Sequence, residues 1–436
     1  MELKPLEKDD IENIAREAIM DAIDFVESEV AEDRIKAQRY YNGAVDIGQE
    51  EGRSAVVATK VRDAIRSIKP SLLRVFMSTD RPVEFVPTGP EELGGYGLLN
   101  DAFHDAMLKK TGIIKLYWDT YSEAESYTFN DLNDMEFSAI VNEKNVEVVE
   151  HTTKIVVEID EFGVEIETPK HDLKVSRITD MGELCVEGVP PEEFFVDRNA
   201  TSIENAYVVG HRTEVRVSDL VAMGYDFDEV SELSGLGHSD TFSEVEKYER
   251  RGYEMDYSSE NVQDPSMRVV ALTELYMKVD VDGTGVAEMQ KITLGGNDYQ
   301  LLDAEPWGDA PFAIFEIDPE PHTFYGTSIA DLIINDQDAS TAMLRGVLDN
   351  VALTNHPRTE IIDGAVNIDD MLNNEIGGIV RVKQAGAITP LTVPFIAGQT
   401  LSAMQYYDQE IENKLGISKA SLGLNPDALK ATTATA

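Results

Sequence analysis

Apolar residues recur at helical spacing over a long stretch near the end of the chain. The stretch begins after Ser328, and Asp331 follows three residues later, which is the pattern of a capping box. Pro357 comes after its last turn and cannot continue a helix. At 1.5 Å per residue, a helix over residues 327–355 is about 40 Å long. Its apolar positions are Ile329, Leu332, Ile333, Met343, Leu344, Val347, Leu348 and Val351.

The chain beyond this helix is predicted to form a small insert and a returning helix. Strands are predicted at residues 359–362, 377–382 and 388–391, a helical turn at 368–372, and a second helix from about Phe395. About forty residues with so few large apolar side chains make a poor independent core. We therefore expect a protruding hairpin that something outside the monomer covers.

The N-terminal part is predicted to be mainly helical. Asp9 and Asp10 are suited to cap a helix over residues 9–42, and further helices are predicted at 54–68 and 98–110. The shorter features predicted here are a kink at Pro70, a strand over 83–86, a glycine-rich linker over 89–97 and a strand over 113–118.

From about Asn142 the spacing of apolar residues changes from 3.6 to 2, which predicts a β-meander with one acidic, solvated face. Its strands are predicted around 146–148, 155–159, 164–167, 174–178 and 184–187, with a turn at 160–163. Later features are a short helix at 217–223, a polar irregular segment at 231–264, a hairpin of 268–281 with 286–294, and a strand at 312–317. The fold class is therefore α+β, without an internal repeat.

Composition restricts the possible functions. The 436 residues include 37 basic and 82 acidic side chains, for a net charge of −45. DNA-binding surfaces are basic because they neutralise phosphates, so a general DNA binder is excluded. Three interpretations of the acidic charge remain open. The protein has no role with nucleic acid, it binds basic partners, or it forms a surface past which nucleic acid slides without binding. The single cysteine, Cys185, excludes an intramolecular disulfide and a cysteine zinc cage.

No pattern indicates catalysis, a metal or a cofactor. The seven histidines are scattered, with none four residues from another, and the glycines of 89–97 lack the spacing of a phosphate loop. Residues 280–285 imitate a calcium loop, but Lys291 stands where a bidentate glutamate is needed, so a hairpin turn is favoured. Neither a signal peptide nor a membrane span of about 18 apolar residues is expected.

Basic residues near the hairpin allow two interpretations. They either pair locally with Glu360, Asp363 and Glu412, or they contact phosphates or an acidic partner. The basic residues in question are Arg358, Arg381, Lys383, Lys414, Lys419 and Lys430.

Several short stretches carry a family resemblance through their order along the chain. They are RYYNG at 39–43, GRS at 52–54, IKPSLL at 68–73, KTGIIK at 110–115, PPEEF at 190–194, HR at 211–212 and FYGTS at 324–328. This series, followed by a long helix, a β-rich insert and a return helix, resembles the portal proteins of tailed double-stranded DNA bacteriophages.

The resemblance implies a portal-like division of the chain. The expected parts are a helical wing at 1–135, a β-rich wing at 136–322, a first stem helix at 323–355, a clip at 356–395, a second stem helix at 396–420 and the start of a tunnel loop at 421–436. Beyond that point the family pattern continues with a further wing helix and usually a crown.

The resemblance also implies which residues act. Clip contacts are expected from Arg358, Glu360, Asp363, Arg381 and Lys383. Stem or channel positions are Asp336, Arg345, Asp349, Lys414 and Lys419, and tunnel-loop positions are Leu422, Asn425, Asp427 and Lys430.

A portal of this kind is a homo-oligomeric ring, usually of twelve copies, at one capsid vertex of the virion, assembled in the host bacterial cytoplasm. Its expected partners are the major capsid protein, the terminase large subunit and the head–tail adaptor, with no membrane. Double-stranded DNA would pass through its channel without tight binding, which the acidity suits. The alternatives are another acidic virion assembly protein, such as an adaptor or scaffold-like ring, and an acidic hydrolase.

Overall fold

The computed structural model describes residues 5–76, 95–143, 146–159, 165–235, 242–252, 264–373 and 375–416. The strand expected at 83–86, the turn at 160–163, the end of the second stem helix with Lys419, and the tunnel loop lie outside these residues.

Within the described residues the chain is mixed α+β, in agreement with the sequence prediction. Its helices are α1 (Lys8–Glu29), α2 (Ala31–Asn42), α3 (Lys60–Phe76), α4 (Gly95–Lys109), α5 (Asp134–Val141), α6 (Val217–Ala222), α7 (Phe227–Glu232), α8 (Phe242–Arg251), α9 (Ile329–Asn355), α10 (Ile368–Leu372) and α11 (Ala397–Leu415). Its strands are β1 (Thr111–Leu132), β2 (Val146–Ile159), β3 (Glu165–Val189), β4 (Phe194–Val196), β5 (Val208–Arg216), β6 (Val269–Val279), β7 (Glu288–Gly295), β8 (Gln300–Pro306), β9 (Phe312–Glu316), β10 (Thr359–Ile361) and β11 (Ile388–Pro390).

The chain divides into two compact units, residues 115–187 and the remainder. The smaller unit consists of long strands and α5. Its strands β2 and β3 pair antiparallel from Val146 opposite Arg177 to Ile159 opposite Glu165. The strands expected separately at 174–178 and 184–187 are thus parts of one strand, and α5 was not predicted.

The larger unit is built on an antiparallel sheet of order β4-β5-β6-β7-β8. Period-two alternation gives this sheet two buried faces. Leu275 and Met277 point to the face that α1 covers with Ile11, Ala15, Ile19, Ala22 and Val26. Tyr276, between them, packs on the other face with Phe312 and Phe324. The predicted hairpin of β6 and β7 is confirmed.

The prediction of a single helix over 9–42 is wrong. The segment forms two helices that meet at Val30, whose φ is −118°. α1 packs on the sheet whereas α2 packs on α3, α4, α8 and α9, so the two helices serve different partners. The N-cap is Glu7, which forms a capping box with Asp10, rather than Asp9 and Asp10.

Two further helix predictions change. The helix expected at 54–68 begins only at Lys60, and it continues through Pro70 to Phe76 because Leu73 beyond the proline is buried in the core. The segment expected to be irregular at 231–264 contains α8, whose Glu246 and Lys247 are buried. The helix was not predicted because its buried face carries charged residues instead of the apolar residues that mark a buried face in the sequence.

That charged face belongs to a buried ion network. Arg34 on α2 lies 3.1 Å from Glu246 on α8 and donates a 2.6 Å hydrogen bond to the carbonyl of Pro191. Lys109, at the end of α4, has no exposed side-chain surface and lies 3.1 Å from Glu192 and 3.5 Å from Glu246. These contacts join two helices and the PPEEF stretch to α8.

The same network extends along α8. Arg250 donates to both carboxylate oxygens of Asp105 on α4, at 3.0 and 3.2 Å, and at 2.9 Å to Glu192. Lys247 donates to Glu214 at 2.5 Å and lies 3.4 Å from Glu193. Each buried charge therefore has at least one opposite charge beside it, which burial requires.

The surroundings shift the pKa values of these carboxyl groups in different directions. Burial alone would raise the pKa of Glu192, but the charges of Lys109 and Arg250 lower it from 4.5 to about 2. Burial raises the pKa of Glu246, against the opposing effect of Arg34 and Lys109. Because its pKa is lowered on folding, Glu192 contributes stability that is present above about pH 4.5 and lost as the pH falls towards 2.

Glu246→Gln is expected to reduce the free energy of unfolding by about 3–5 kcal/mol, because it leaves Arg34 and Lys109 buried without that carboxylate. Glu249→Gln on the same helix is the matched control. Its carboxylate pairs with the half-exposed Arg39, so a loss of about 0–1 kcal/mol is expected. Denaturant unfolding monitored by circular dichroism measures both, and equal losses would contradict a special role for the network.

Candidate functional site

The start of α9 is fixed by the FYGTS stretch. Ser328 accepts from the N–H of Asp331 at 3.1 Å, and the Asp331 carboxylate accepts from the N–H of Ser328 at 3.0 Å, so the predicted capping box is confirmed. Just before it, the N–H of Thr327 donates to the carbonyl of Asp318 at 2.9 Å. A Cβ on Gly326 would lie 2.4 Å from that same oxygen, so the close approach requires glycine.

The first turns of α9 belong to the core of the larger unit. Ile329, Ala330, Ile333 and Ile334 pack in one cluster with residues of α2, α3 and α4. α11 returns alongside α9 and adds Ile411 to the same cluster. The hairpin is therefore anchored at its base by its own chain, and only its further part lacks such cover.

Polar side chains on α9 hold the segment of residues 43–59, which we call the strap, and the helix ends on either side of it. Gln337, Thr341, Arg345 and Asp349 are spaced four residues apart, so they share one face of the helix, and we call them the ladder. Arg345 donates to three strap carbonyls, those of Ile47, Gly48 and Val56, at 3.3, 3.3 and 3.0 Å.

The other ladder residues bind backbone groups on either side. Asp349 accepts from the N–H of Ser54 at 2.8 Å, and Thr341 accepts from the N–H of Ala58 at 3.1 Å. Gln337 accepts from the N–H of Val61 at 2.9 Å and donates to the carbonyl of Tyr40 at 3.0 Å. The strap has no helical or strand partners for these groups, so the ladder replaces the missing secondary structure.

Further polar contacts fix α11 against α9 and α3. Lys414 on α11 donates to Asp336 on α9 at 2.7 Å, and Lys60 on α3 donates to Asp408 on α11 at 2.6 Å. Near the insert, Asn350 donates to the carbonyl of Pro394 and accepts from the N–H of Ile396, at 2.9 and 3.0 Å. Asn350 thereby fixes the point at which the chain re-enters the hairpin.

Four of the five stem residues predicted from the sequence lie in contacts within the chain, and the fifth, Lys419, is outside the described residues. Asp336 is buried and paired with Lys414, whereas Arg345 and Asp349 bind the strap. Gln337, Thr341 and Asn350 were missed. The four-residue spacing of polar residues along α9 was the signal that could have found the ladder.

The insert contains β10, α10 and β11, and two of its three predicted strands are present. The strand predicted at 377–382 is wrong. Gly377 has a φ of 83° and opens a turn in which the N–H of Gly378 donates to Glu375, so the extended pairing fails there. Only an isolated bridge joins Val382 to Val366.

The charged insert residues are at the surface. Arg381 forms a two-nitrogen hydrogen bond with Asp370, at 2.6 and 2.8 Å, and not with the acidic residues expected to pair locally. Arg358, Glu360, Asp363 and Lys383 are exposed to solvent. The backbone of this group is nevertheless ordered by the insert, since the carbonyl of Arg358 accepts from Leu391 at 2.7 Å.

Large apolar side chains are exposed on the insert and on α11. Ile376 and Ile379 are 103% and 86% exposed, and Leu372 is 75% exposed. The remaining members of this group are Ile361, Ile362, Ile368, Val382, Leu391, Phe395, Ile396, Leu401 and Tyr406. We call the whole set the apolar surface. A clustered set of this kind indicates contact with another protein.

Within the described residues, no group of three or more histidine, cysteine or acidic side chains is arranged to hold a metal ion. The calcium-loop imitation is a hairpin turn, in which Asp280 accepts from the N–H groups of Thr284 and Gly285 at 2.9 and 2.7 Å. In the part of the chain that the structure describes, no helix is long and apolar enough to cross a membrane.

A long two-helix hairpin with a small insert, anchored in an α+β body and bearing an uncovered apolar surface, is consistent with a structural protein of phage assembly, the portal class that the sequence resembles. The model of the phage SU10 portal protein family matches residues 11–436, and the chain belongs to that family. The family consists of structural, non-enzymatic components of the virion capsid. No curated protein matches the chain.

Arg345→Ala is expected to lower the free energy of unfolding by about 1–3 kcal/mol and to speed amide exchange in the strap, because three carbonyls lose a charged donor. Arg345→Lys should restore little, since one ammonium cannot span the three oxygens. Arg358→Ala, at an exposed position, is the control and should change stability by less than about 0.5 kcal/mol. Unchanged exchange in Arg345→Ala would refute the strap contact.

Proposed function

We propose that this protein is the portal of a tailed phage, a ring-shaped conduit at one capsid vertex through which double-stranded DNA is packaged and ejected. Membership of the portal family supports this proposal. The observation that carries it is the apolar surface, because isoleucines as exposed as Ile376 and Ile379 are costly in an isolated monomer. In a ring, neighbouring copies cover them.

In this proposal the parts of the chain have separate tasks. The body up to about residue 322 is the wing, which contacts the major capsid protein. Helices α9 and α11 are the stem, and residues 356–395 are the clip, on which the terminase large subunit and then the head–tail adaptor dock. The exposed charges of the clip offer polar contacts at that end, and they are Arg358, Glu360, Asp363, Arg381 and Lys383.

The side of α9 that faces DNA is constrained by the contacts within the chain. Asp336, Arg345 and Asp349 are engaged by Lys414 and the strap. The exposed residues of α9 are Asn335, Ala342, Gly346, Leu348, Ala352, Thr354 and Asn355. The first three are spaced by seven and four residues, which places them on one side of the helix. A side of short uncharged residues on a protein of net charge −45 offers phosphates nothing to bind.

The proposed ring has about twelve copies, as the portal resemblance implies, and it assembles in the host bacterial cytoplasm before it becomes part of the virion. Copies meet through the clip and the stem, because these elements carry the apolar surface.

Electron microscopy of the purified protein is expected to show rings with a central hole, and the double variant Ile376→Asp/Ile379→Asp is expected to yield mainly single chains. Charges placed in an apolar contact between copies would be desolvated without a partner. The matched control is Val286→Asp, an exposed valine at 64% in the turn before β7, and it should leave rings intact. Rings that persist in the double variant would disprove the clip contact.

The assembled ring is expected to bind free duplex DNA weakly, with little change between low and physiological salt. Adding lysines at Asn335 and Ala342 should raise the affinity and its salt dependence, whereas lysines at the half-buried Ser266 and the exposed Thr284 in the wing should not. Fluorescence anisotropy over a salt series measures both. Tight, salt-sensitive binding by the unmodified ring would overturn the proposed channel.

A further inference from the structure

A histidine pair in the smaller unit has no part in the proposed portal role. His151 on β2 and His171 on β3 lie side by side beneath α5. The ring of Phe137 on α5 stacks on both imidazoles, with centroid distances of 4.5 and 4.6 Å. Thr153, two residues from His151, is directly opposite His171 in the strand register. The two rings are therefore restrained by a helix above and by paired strands below.

The hydrogen bonds of His171 fix its tautomer. Its Nε2 lies 2.8 Å from an oxygen of Asp134, which can only accept, so Nε2 carries the hydrogen. The lone pair is then on Nδ1, which lies 3.0 Å from Nε2 of His151 and 3.2 Å from the hydroxyl of Thr153. Nε2 of His151 therefore donates a hydrogen bond to Nδ1 of His171.

This arrangement matches two adjacent ligands of a transition metal. With zinc–nitrogen bonds of about 2.0–2.1 Å, neighbouring ligand nitrogens lie about 2.9–3.4 Å apart, and the observed separation is 3.0 Å. A carboxylate behind a histidine ligand is also the usual support of such sites, where it orients the ring and raises its basicity. Asp134 occupies that position towards His171.

We propose that His151 Nε2 and His171 Nδ1 form an exchangeable site for a divalent transition metal, zinc in the first place. The metal replaces the hydrogen bond and lies to one side of the line between the two nitrogens, because two bonds of about 2.0–2.1 Å do not fit along a separation of 3.0 Å. His151 keeps one ring proton by carrying it on Nδ1 instead of Nε2, so no net proton or electron is transferred. Thr153 and water fill the remaining positions, and imidazole nitrogen selects zinc, copper or nickel over magnesium or calcium.

Binding at this site would fasten α5 to the β2–β3 hairpin. The described part of α5 buries none of its residues, so Asp134 and Phe137 provide its contacts with the histidine pair. A metal bound to both imidazoles would fix the positions of the two rings on which Phe137 of α5 stacks. Two imidazoles and one hydroxyl bind the ion, with water completing its coordination, so the site is weaker than a four-ligand structural cage.

Isothermal titration of the full-length protein with zinc chloride tests the proposal. The unmodified protein and a His356→Gln control, at an exposed histidine after α9, should both show the site. His151→Gln and His171→Gln should each abolish it, and Asp134→Asn should weaken it about 10–100-fold. Thermal unfolding in chelator shows whether each variant folds, and the exposed His151 is the variant expected to fold unchanged.

Two results would overturn the metal site. Zinc binding that survives in His151→Gln shows that the ion binds elsewhere. An affinity unchanged in Asp134→Asn shows that the carboxylate does not support a ligand, and the pair is then a hydrogen bond between two side chains. The test does not depend on ring formation, so the portal proposal and the metal site fail separately.

Discussion

The need to pair every buried charge organises the body of this protein. Lys109 has no exposed side-chain surface, so its ammonium requires carboxylates within a few ångströms, and Glu192 and Glu246 provide them. Meeting that need brings α4, the PPEEF stretch and α8 to one place, and Arg34 adds α2. Of the stretches that resemble portal sequence, PPEEF contributes Glu192 and Glu193 to this network. Removing Glu246 leaves Arg34 buried without a carboxylate and Lys109 with Glu192 alone, which makes the arrangement sensitive to that change.

The long helix α9 inherits its position from this body. Its first turns pack in the apolar cluster with α2, α3 and α4, and its polar ladder satisfies the backbone of the strap. The first half of α9 is therefore anchored in the core and one face of the helix binds the strap, whereas its second half has less cover from the rest of the chain. This division limits which side chains of the helix are free to meet DNA or another copy, and it removes Asp336 and Arg345 from that group.

Acidity and exposed apolar surface occur together in the hairpin region and have different consequences. Net charge of −45 keeps copies apart in solution and repels phosphates, whereas isoleucines such as Ile376 favour contact between proteins. In the proposed ring, assembly depends on apolar contacts strong enough to overcome this repulsion. An internal pair such as Lys414 with Asp336 removes one acidic residue for each basic one, so the remaining surface keeps the full net negative charge.

Local periodicity and side-chain chemistry are sufficient to predict several features of this protein. These are the α+β class, the capped start of α9 at Ser328, the β6–β7 hairpin and the acidity that excludes a DNA-gripping surface. Other features follow from tertiary contacts: the break at Val30, the helix α8 in a polar segment, the strap on the ladder and the loss of the strand at 377–382. Each of these depends on partners far away in the chain. A charged residue such as Glu246 looks solvated in sequence until the opposite charges that bury it are known, and such pairing leaves no local periodic pattern.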